Sequence, residues 1–169
     1  DDPRLVAVHR SAEDVAAGCE LPYERFDAVV LKEVIHHVAD VPAILAGLAR
    51  RLAPGGRLLV VMLPKRIEYP LFAAALDRFT QLQPDPADVA AGMRQAGLDV
   101  ETWSADFQLV FALERYLDMV RDRYMSLLST FDDEQLAAGI AEIRARHRGP
   151  EVRFVDRFAF VRGTGRDST

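Results

Sequence analysis

The stretches Phe26-Asp27-Ala28-Val29-Val30-Leu31-Lys32-Glu33-Val34-Ile35-His36-His37-Val38-Ala39-Asp40 and Leu52-Ala53-Pro54-Gly55-Gly56-Arg57-Leu58-Leu59-Val60-Val61 decide the fold. Residues 28–31 are a short apolar run rich in β-branched side chains, too short for a buried helix and suited to a strand covered on both faces. Asp40 can cap a following helix, Pro42 suits its first turn, and Val41, Ile44, Leu45, Leu48 and Leu52 repeat at helical spacing on one face. Pro54-Gly55-Gly56 is expected to stop that helix, and residues 58–62 to form the next strand. The whole reads as a strand–helix–strand unit with parallel strands and a right-handed crossover. In open sheets of this kind ligands bind beyond the carboxyl ends of the strands, so residues 32–37 lie where a ligand is expected.

With 169 residues, half of them apolar, residues 1–169 are expected to form a single domain with a sizeable core. The net charge of −5, without any Lys/Arg-rich block, argues against nucleic acid as a partner, because that affinity comes mostly from phosphate neutralisation. A small-molecule substrate fits better. Cys19 is the only cysteine, which excludes an intramolecular disulfide and a cysteine-rich zinc site. No membrane-length apolar stretch or signal-like segment is visible, so no membrane partner is expected and the expected compartment is cytoplasmic.

Phe26-Asp27-x-Val29-Val30, then His36-His37-x-x-Asp40, then Leu52-x-Pro54-Gly55-Gly56-x-Leu58 resembles the fourth-strand to fifth-strand segment of the class I S-adenosylmethionine-dependent methyltransferases, small-molecule type 11-like. The resemblance implies an α/β, Rossmann-like, doubly wound and mostly parallel sheet with an antiparallel last strand. It also implies S-adenosylmethionine as cofactor and methyl transfer to a small-molecule acceptor, with O-methylation favoured. Two other readings stand beside it: another nucleotide-cofactor enzyme on a related sheet, and a degenerate methyltransferase-like partner subunit without catalysis. The family's glycine-rich loop and its acidic residue for the ribose do not precede these motifs, so the sequence reads as the downstream two-thirds of such a domain. An open strand edge would follow, and with it weaker cofactor binding and a tendency to form a homo-oligomer.

Residues 4–8 would then be the third strand, with Ser11 and Ala12 at the family's adenine-contacting positions. Ser11 stands where the family usually has Asp, so Glu13 or Asp14 could substitute, or residues 11–14 could simply cap a short helix at 12–17. Lys32 occupies the place beside the methionine part of the cofactor; it either meets the cofactor carboxylate or is a solvated strand end. His36 matches the general-base histidine of small-molecule O-methyltransferases in the string Leu31-Lys32-Glu33-Val34-Ile35-His36, and His37 is the second candidate. Neutral imidazole can accept a hydroxyl proton near pH 7. In other relatives the pair packs under the cofactor or caps the next helix. Adjacent histidines without a third ligand make a poor metal site.

Downstream, helices are expected at 69–82 and at 86–96, the latter capped by Asp85 and ended by Gly97, followed by a strand at 98–103. Apolar spacing suggests a helix over 107–128, and either Thr130 or Asp132, the latter in a capping-box pattern Asp132-x-x-Gln135, begins another that reaches about His147 and stops at Gly149-Pro150. Together, residues 107–150 resemble a helical cap insertion over a substrate pocket, in which Arg121, Arg123 and Tyr124 suit a substrate carboxylate or instead form a solvated face. Residues 153–161 are the expected last strand, with Phe154, Phe158 and Phe160 on one face, and the residues after Gly163 a frayed tail.

Overall fold

The structure, a computed structural model, describes residues 4–166. Its elements are α1 (Ala12–Ala17), β1 (Phe26–Lys32), α2 (Val41–Arg50), β2 (Leu52–Met62), α3 (Ala73–Leu82), α4 (Pro86–Gln95), β3 (Asp99–Ala112), α5 (Leu113–Arg121), α6 (Asp133–Arg146) and β4 (Glu151–Thr164), with 3-10 turns at Ile35–His37 and Ser126–Thr130. The strand order is β1-β2-β4-β3. β1 and β2 are parallel, with Val29 opposite Leu58 and Leu31 opposite Val60. β4 runs antiparallel to β2, Val161 facing Val60. Arg157 pairs with Asp106 and Arg162 with Glu101, so numbers fall along one strand as they rise along the other, and β3 is antiparallel to β4. β1, β2 and β3 therefore share one direction and β4 alone opposes them: the mostly parallel sheet with an antiparallel last strand that the sequence led us to expect.

Several expectations need correction. Residues 5–10 form no strand and are exposed, Leu5 at 79 % and Val6 at 64 %. No described strand lies on the outer side of β1 to pair with them, and a strand without a ladder has no partner for its backbone groups. Pro54-Gly55-Gly56 does not stop the helix. α2 has already ended at Arg50, and the three residues sit inside β2, where the register slips between Phe26 opposite Leu52 and Ala28 opposite Arg57. The helix expected from residue 69 starts at Ala73, because Pro70 disfavours helical geometry at Tyr69. The helix expected from 107 starts at Leu113: residues 107–112 continue β3, which extends well past the expected end at 103. There Leu109 and Phe111 alternate in burial with Gln108, Val110 and Ala112, a period of two that outweighs the helical spacing further on. β4 extends to Thr164, so the expected tail shortens, and residues 167–169 lie outside the described residues.

The chain forms two compact units. One comprises residues up to Met62, Pro84–Trp103 and the chain from Ala159 onward; its core holds Ile35, Leu45, Leu48, Leu58, Val60, Met62, Met93 and Val161. Gly47 brings α1 against α2, since a β-carbon there would lie 2.4 Å from the carbonyl oxygen of Ala16. The other unit comprises Leu63–Gln83 and Ser104–Phe158. Its helix α5 buries Leu113, Tyr116, Leu117 and Val120, one face at helical spacing, among Leu71, Phe72, Phe79, Leu128 and Ile143. The expected capping box starts α6: Asp132 accepts from the Gln135 N–H, and the Gln135 side chain accepts from the Asp132 N–H.

Candidate functional site

β1 ends at Lys32, and Glu33 turns the chain with a φ of 54°, a left-handed conformation that costs a non-glycine residue about 1–2 kcal/mol. The Glu33 N–H nevertheless donates to the Val61 carbonyl at 2.9 Å, which ties the turn to the end of β2. Ile35, fully buried, anchors the 3-10 turn that follows and leaves its neighbours at the surface: His36 is half-buried and His37 exposed. The imidazole centroids are 4.1 Å apart. Burial holds the His36 pKa below its ordinary 6.5, with the neighbouring His37 adding to the effect, so His36 is neutral at pH 7. Its Nδ1 is shut away from solvent and has no hydrogen-bond partner among the described residues. No protein acceptor therefore holds a proton on Nδ1. Asp40 then caps α2, accepting from the Ala43 N–H at 3.0 Å.

Ser11 and Ala12 lie in the same unit, at the start of α1. The Ser11 hydroxyl accepts from the Asp14 N–H at 3.0 Å, and the Asp14 carboxylate accepts from the Ser11 N–H at 3.2 Å, which holds the Asp14 pKa below the usual carboxylate range. The expected cap is thus formed. It leaves the Ser11 hydroxyl proton and the Ala12 N–H, a first-turn donor without an intrahelical partner, for a ligand. Lys32 is exposed at the last position of β1. In kind, these donors suit two ends of S-adenosylmethionine: a hydroxyl and a backbone N–H can donate to an adenine edge, and an ammonium suits the methionine carboxylate.

Arg121, Arg123 and Tyr124 belong to the other unit. Arg121 is exposed and pairs with Asp118 on its own helix. Arg123, at a φ of 56°, donates to the carbonyls of Leu128 at 2.5 Å and Phe131 at 2.9 Å, and to Asp133 at 2.7 Å. Its guanidinium holds the turn between α5 and α6. The Tyr124 hydroxyl lies 3.1 Å from that of Tyr116, and burial pushes its pKa up to about 12. The sequence did not single out a second polar pair in this unit: the Tyr69 hydroxyl donates to Asp156 Oδ1 at 2.5 Å. The signal was present, because Asp156 falls by alternation on the same face of β4 as Phe154 and Phe158.

Residues 4–60 match the methyltransferase domain family. The ubiquinone biosynthesis O-methyltransferase of Xylella fastidiosa (strain M23) is 32% identical over 111 residues, 59% of this chain and 42% of that protein. The same enzyme of Xanthomonas oryzae pv. oryzae (strain PXO99A) is 36% identical over 105 residues, 54% of this chain and 42% of that protein. The chain thus spans about two-fifths of the length of these curated relatives. Among solved structures, the YcgJ protein from Bacillus subtilis shares the fold with a TM-score of 0.54 at 18% identity, over 94% of this chain and 70% of that one. The strand order, the histidine pair at the carboxyl end of β1 and these matches agree: residues 4–60 are similar to the methyltransferase domain family, and the chain shares its fold with S-adenosylmethionine-dependent methyltransferases of class I.

Proposed function

We propose that this protein transfers a methyl group from S-adenosylmethionine to a hydroxyl of a small-molecule acceptor, with His36 as general base. The observation that carries the reading is the state of His36: a half-buried, neutral imidazole just past the carboxyl end of a parallel strand. Bound S-adenosylmethionine supplies an electrophilic methyl group. Ser11, Ala12 and Lys32 would hold its polar ends, and His36 would take the proton that the acceptor hydroxyl loses as the methyl group leaves the sulfonium. His37, exposed beside it, is the alternate acceptor of that proton. Within the expected cap insertion at 107–150, Arg121 and Tyr124 are assigned to acceptor binding; Arg123 supports them by fixing the turn.

The test is His36→Ala. Turnover of a hydroxyl acceptor should fall by about 10²–10⁴, with the affinity for S-adenosylmethionine unchanged within about twofold. His37→Ala should cost much less. An unchanged rate in His36→Ala removes the base from the mechanism. Cofactor binding without methylation of any hydroxyl acceptor would favour the degenerate partner subunit.

A further inference from the structure

In the unit that carries His36, the opposite end of the sheet gathers arginines around one cleft. Arg25 immediately precedes β1, Arg50 is the last residue of α2, and Arg166 follows β4, whose antiparallel course brings it back to the amino ends of β1 and β2. The Phe26 N–H donates to the Arg51 carbonyl at 2.8 Å and the Gly165 N–H to the Gly56 carbonyl at 2.8 Å, which draws the three segments together. With Pro54, Gly97 and Gly165, the three arginines line a cleft of about 230 Å³, and none of its lining residues is acidic. Gly97 is bare wall: at a φ of 86°, a β-carbon there would meet nothing within 4 Å. Counter-charges are few. The Arg25 guanidinium donates to the neutral Leu52 carbonyl at 3.0 Å, and among the described residues no carboxylate pairs with Arg25 or Arg50. Arg166 has Asp99 only at 3.7 Å. The carboxyl ends of α2 and α4 border the cleft and bring about half a negative charge each, which leaves most of the three guanidinium charges uncompensated. The sequence carries a net charge of −5, so this positive surplus is local.

Guanidinium groups that share a cleft repel one another, and an anion with several oxygens relieves them because each planar fork can donate two parallel N–H bonds to it. The volume narrows the choice. Pockets that enclose whole small molecules run from about 300 to 1,000 Å³, so this cleft suits a compact, highly charged group and not a ring system. We propose that the cleft of Arg25, Arg50 and Arg166 binds a small phosphorylated ligand through its phosphate or diphosphate group. Arg25 is held ready by the Leu52 carbonyl, and Arg50, exposed and without a protein partner, offers its fork to the anion. β1 separates the cleft from His36 by about 20 Å of strand, so the site goes beyond methyl transfer and does not rest on it.

The experiment is calorimetric titration of the protein with sodium pyrophosphate at low, fixed ionic strength and without divalent cations. Pyrophosphate should bind at one site, at least about tenfold more tightly than sulfate, which carries less charge. Arg50→Gln should weaken it about tenfold or more while leaving the melting temperature at the parent value, and Arg25→Gln should weaken it similarly. Arg153→Gln, which removes an exposed cation in the other unit, should leave the affinity within about twofold. No binding of pyrophosphate, an affinity that Arg50→Gln and Arg25→Gln leave unchanged, an equal loss in Arg153→Gln, or displacement of pyrophosphate by S-adenosylmethionine would overturn the site. Cofactor titration on the same samples separates the two readings: S-adenosylmethionine binding without pyrophosphate binding sinks this inference alone, and pyrophosphate binding without cofactor binding sinks only the methyltransferase reading.

Discussion

Two helical glycines in the same unit provide a controlled test of the packing that carries the cofactor-side residues. Gly47 lies inside α2 and Gly92 inside α4, and alanine is favoured over glycine in a helix interior by about 1 kcal/mol at either position. What differs is the space. A β-carbon at Gly92 would meet only Leu45 Cδ1, at 2.9 Å, the free end of a flexible side chain that can swing aside. At Gly47 it would lie 2.4 Å from the Ala16 carbonyl oxygen, 2.5 Å from the Ala16 β-carbon and 2.8 Å from the Ala16 carbonyl carbon. Two of those atoms are backbone, so relief requires the whole of α1 to move off α2. Overpacking of this kind costs about 1–3 kcal/mol or more, and with no side chain able to yield the upper part of that range applies. Subtracting the propensity gain, Gly47→Ala should destabilise by about 1–2 kcal/mol, whereas Gly92→Ala should fall within about 0.5 kcal/mol of the parent. Urea denaturation with a shared m-value measures both. Because Ser11 caps α1 and Ala12 begins it, Gly47→Ala should also weaken S-adenosylmethionine binding. If Gly47→Ala proves as stable as Gly92→Ala, the close approach of α1 to α2 is wrong.

Arg123→Ala should cost about 2 kcal/mol or more, because two carbonyls and the turn between α5 and α6 lose their donor, whereas Asp133→Ala, which removes only the exposed ion-pair partner, should cost less than about 1 kcal/mol by the same denaturation assay. Asp132→Ala removes the cap of α6 and should cost about 1 kcal/mol, read as a lower urea midpoint. His36 gives a pH dependence. Its folded pKa lies below the unfolded value of 6.5, so the unfolded chain binds the proton more readily; its contribution is complete above pH 6.5 and is lost as the pH falls through the folded pKa. Replacing His36 with Gln should flatten that portion of the stability profile, and an unchanged slope below pH 6.5 would contradict the assignment.

The sequence by itself determined the elements whose signals are local. Asp40 and Pro42 at α2, Asp85 and Pro86 at α4, and Asp132 with Gln135 at α6 each place a helix start through a side chain bonding its own backbone, and all three lie where the structure has them. The strand pattern around β1 and β2 was legible for a similar reason, since side chains alternate or run together within a few residues. Tertiary structure decided what depends on partners distant in sequence. Residues 4–8 have strand composition, yet a strand exists only with a neighbour to accept its hydrogen bonds, and none is described beside them. Residues 107–112 fit a helical spacing as well as a strand; pairing with β4, more than 40 residues away, settles them as β3. The roles of single side chains were the least legible. Arg123 reads as a cation for a substrate or for solvent until its guanidinium is seen on the carbonyls of Leu128 and Phe131, and nothing in the sequence pairs Asp156 with Tyr69, which lies in another segment of the chain. Charge and residue type are written in the sequence, but solvation and partners arise only when distant segments meet, and those set what a charged group can do.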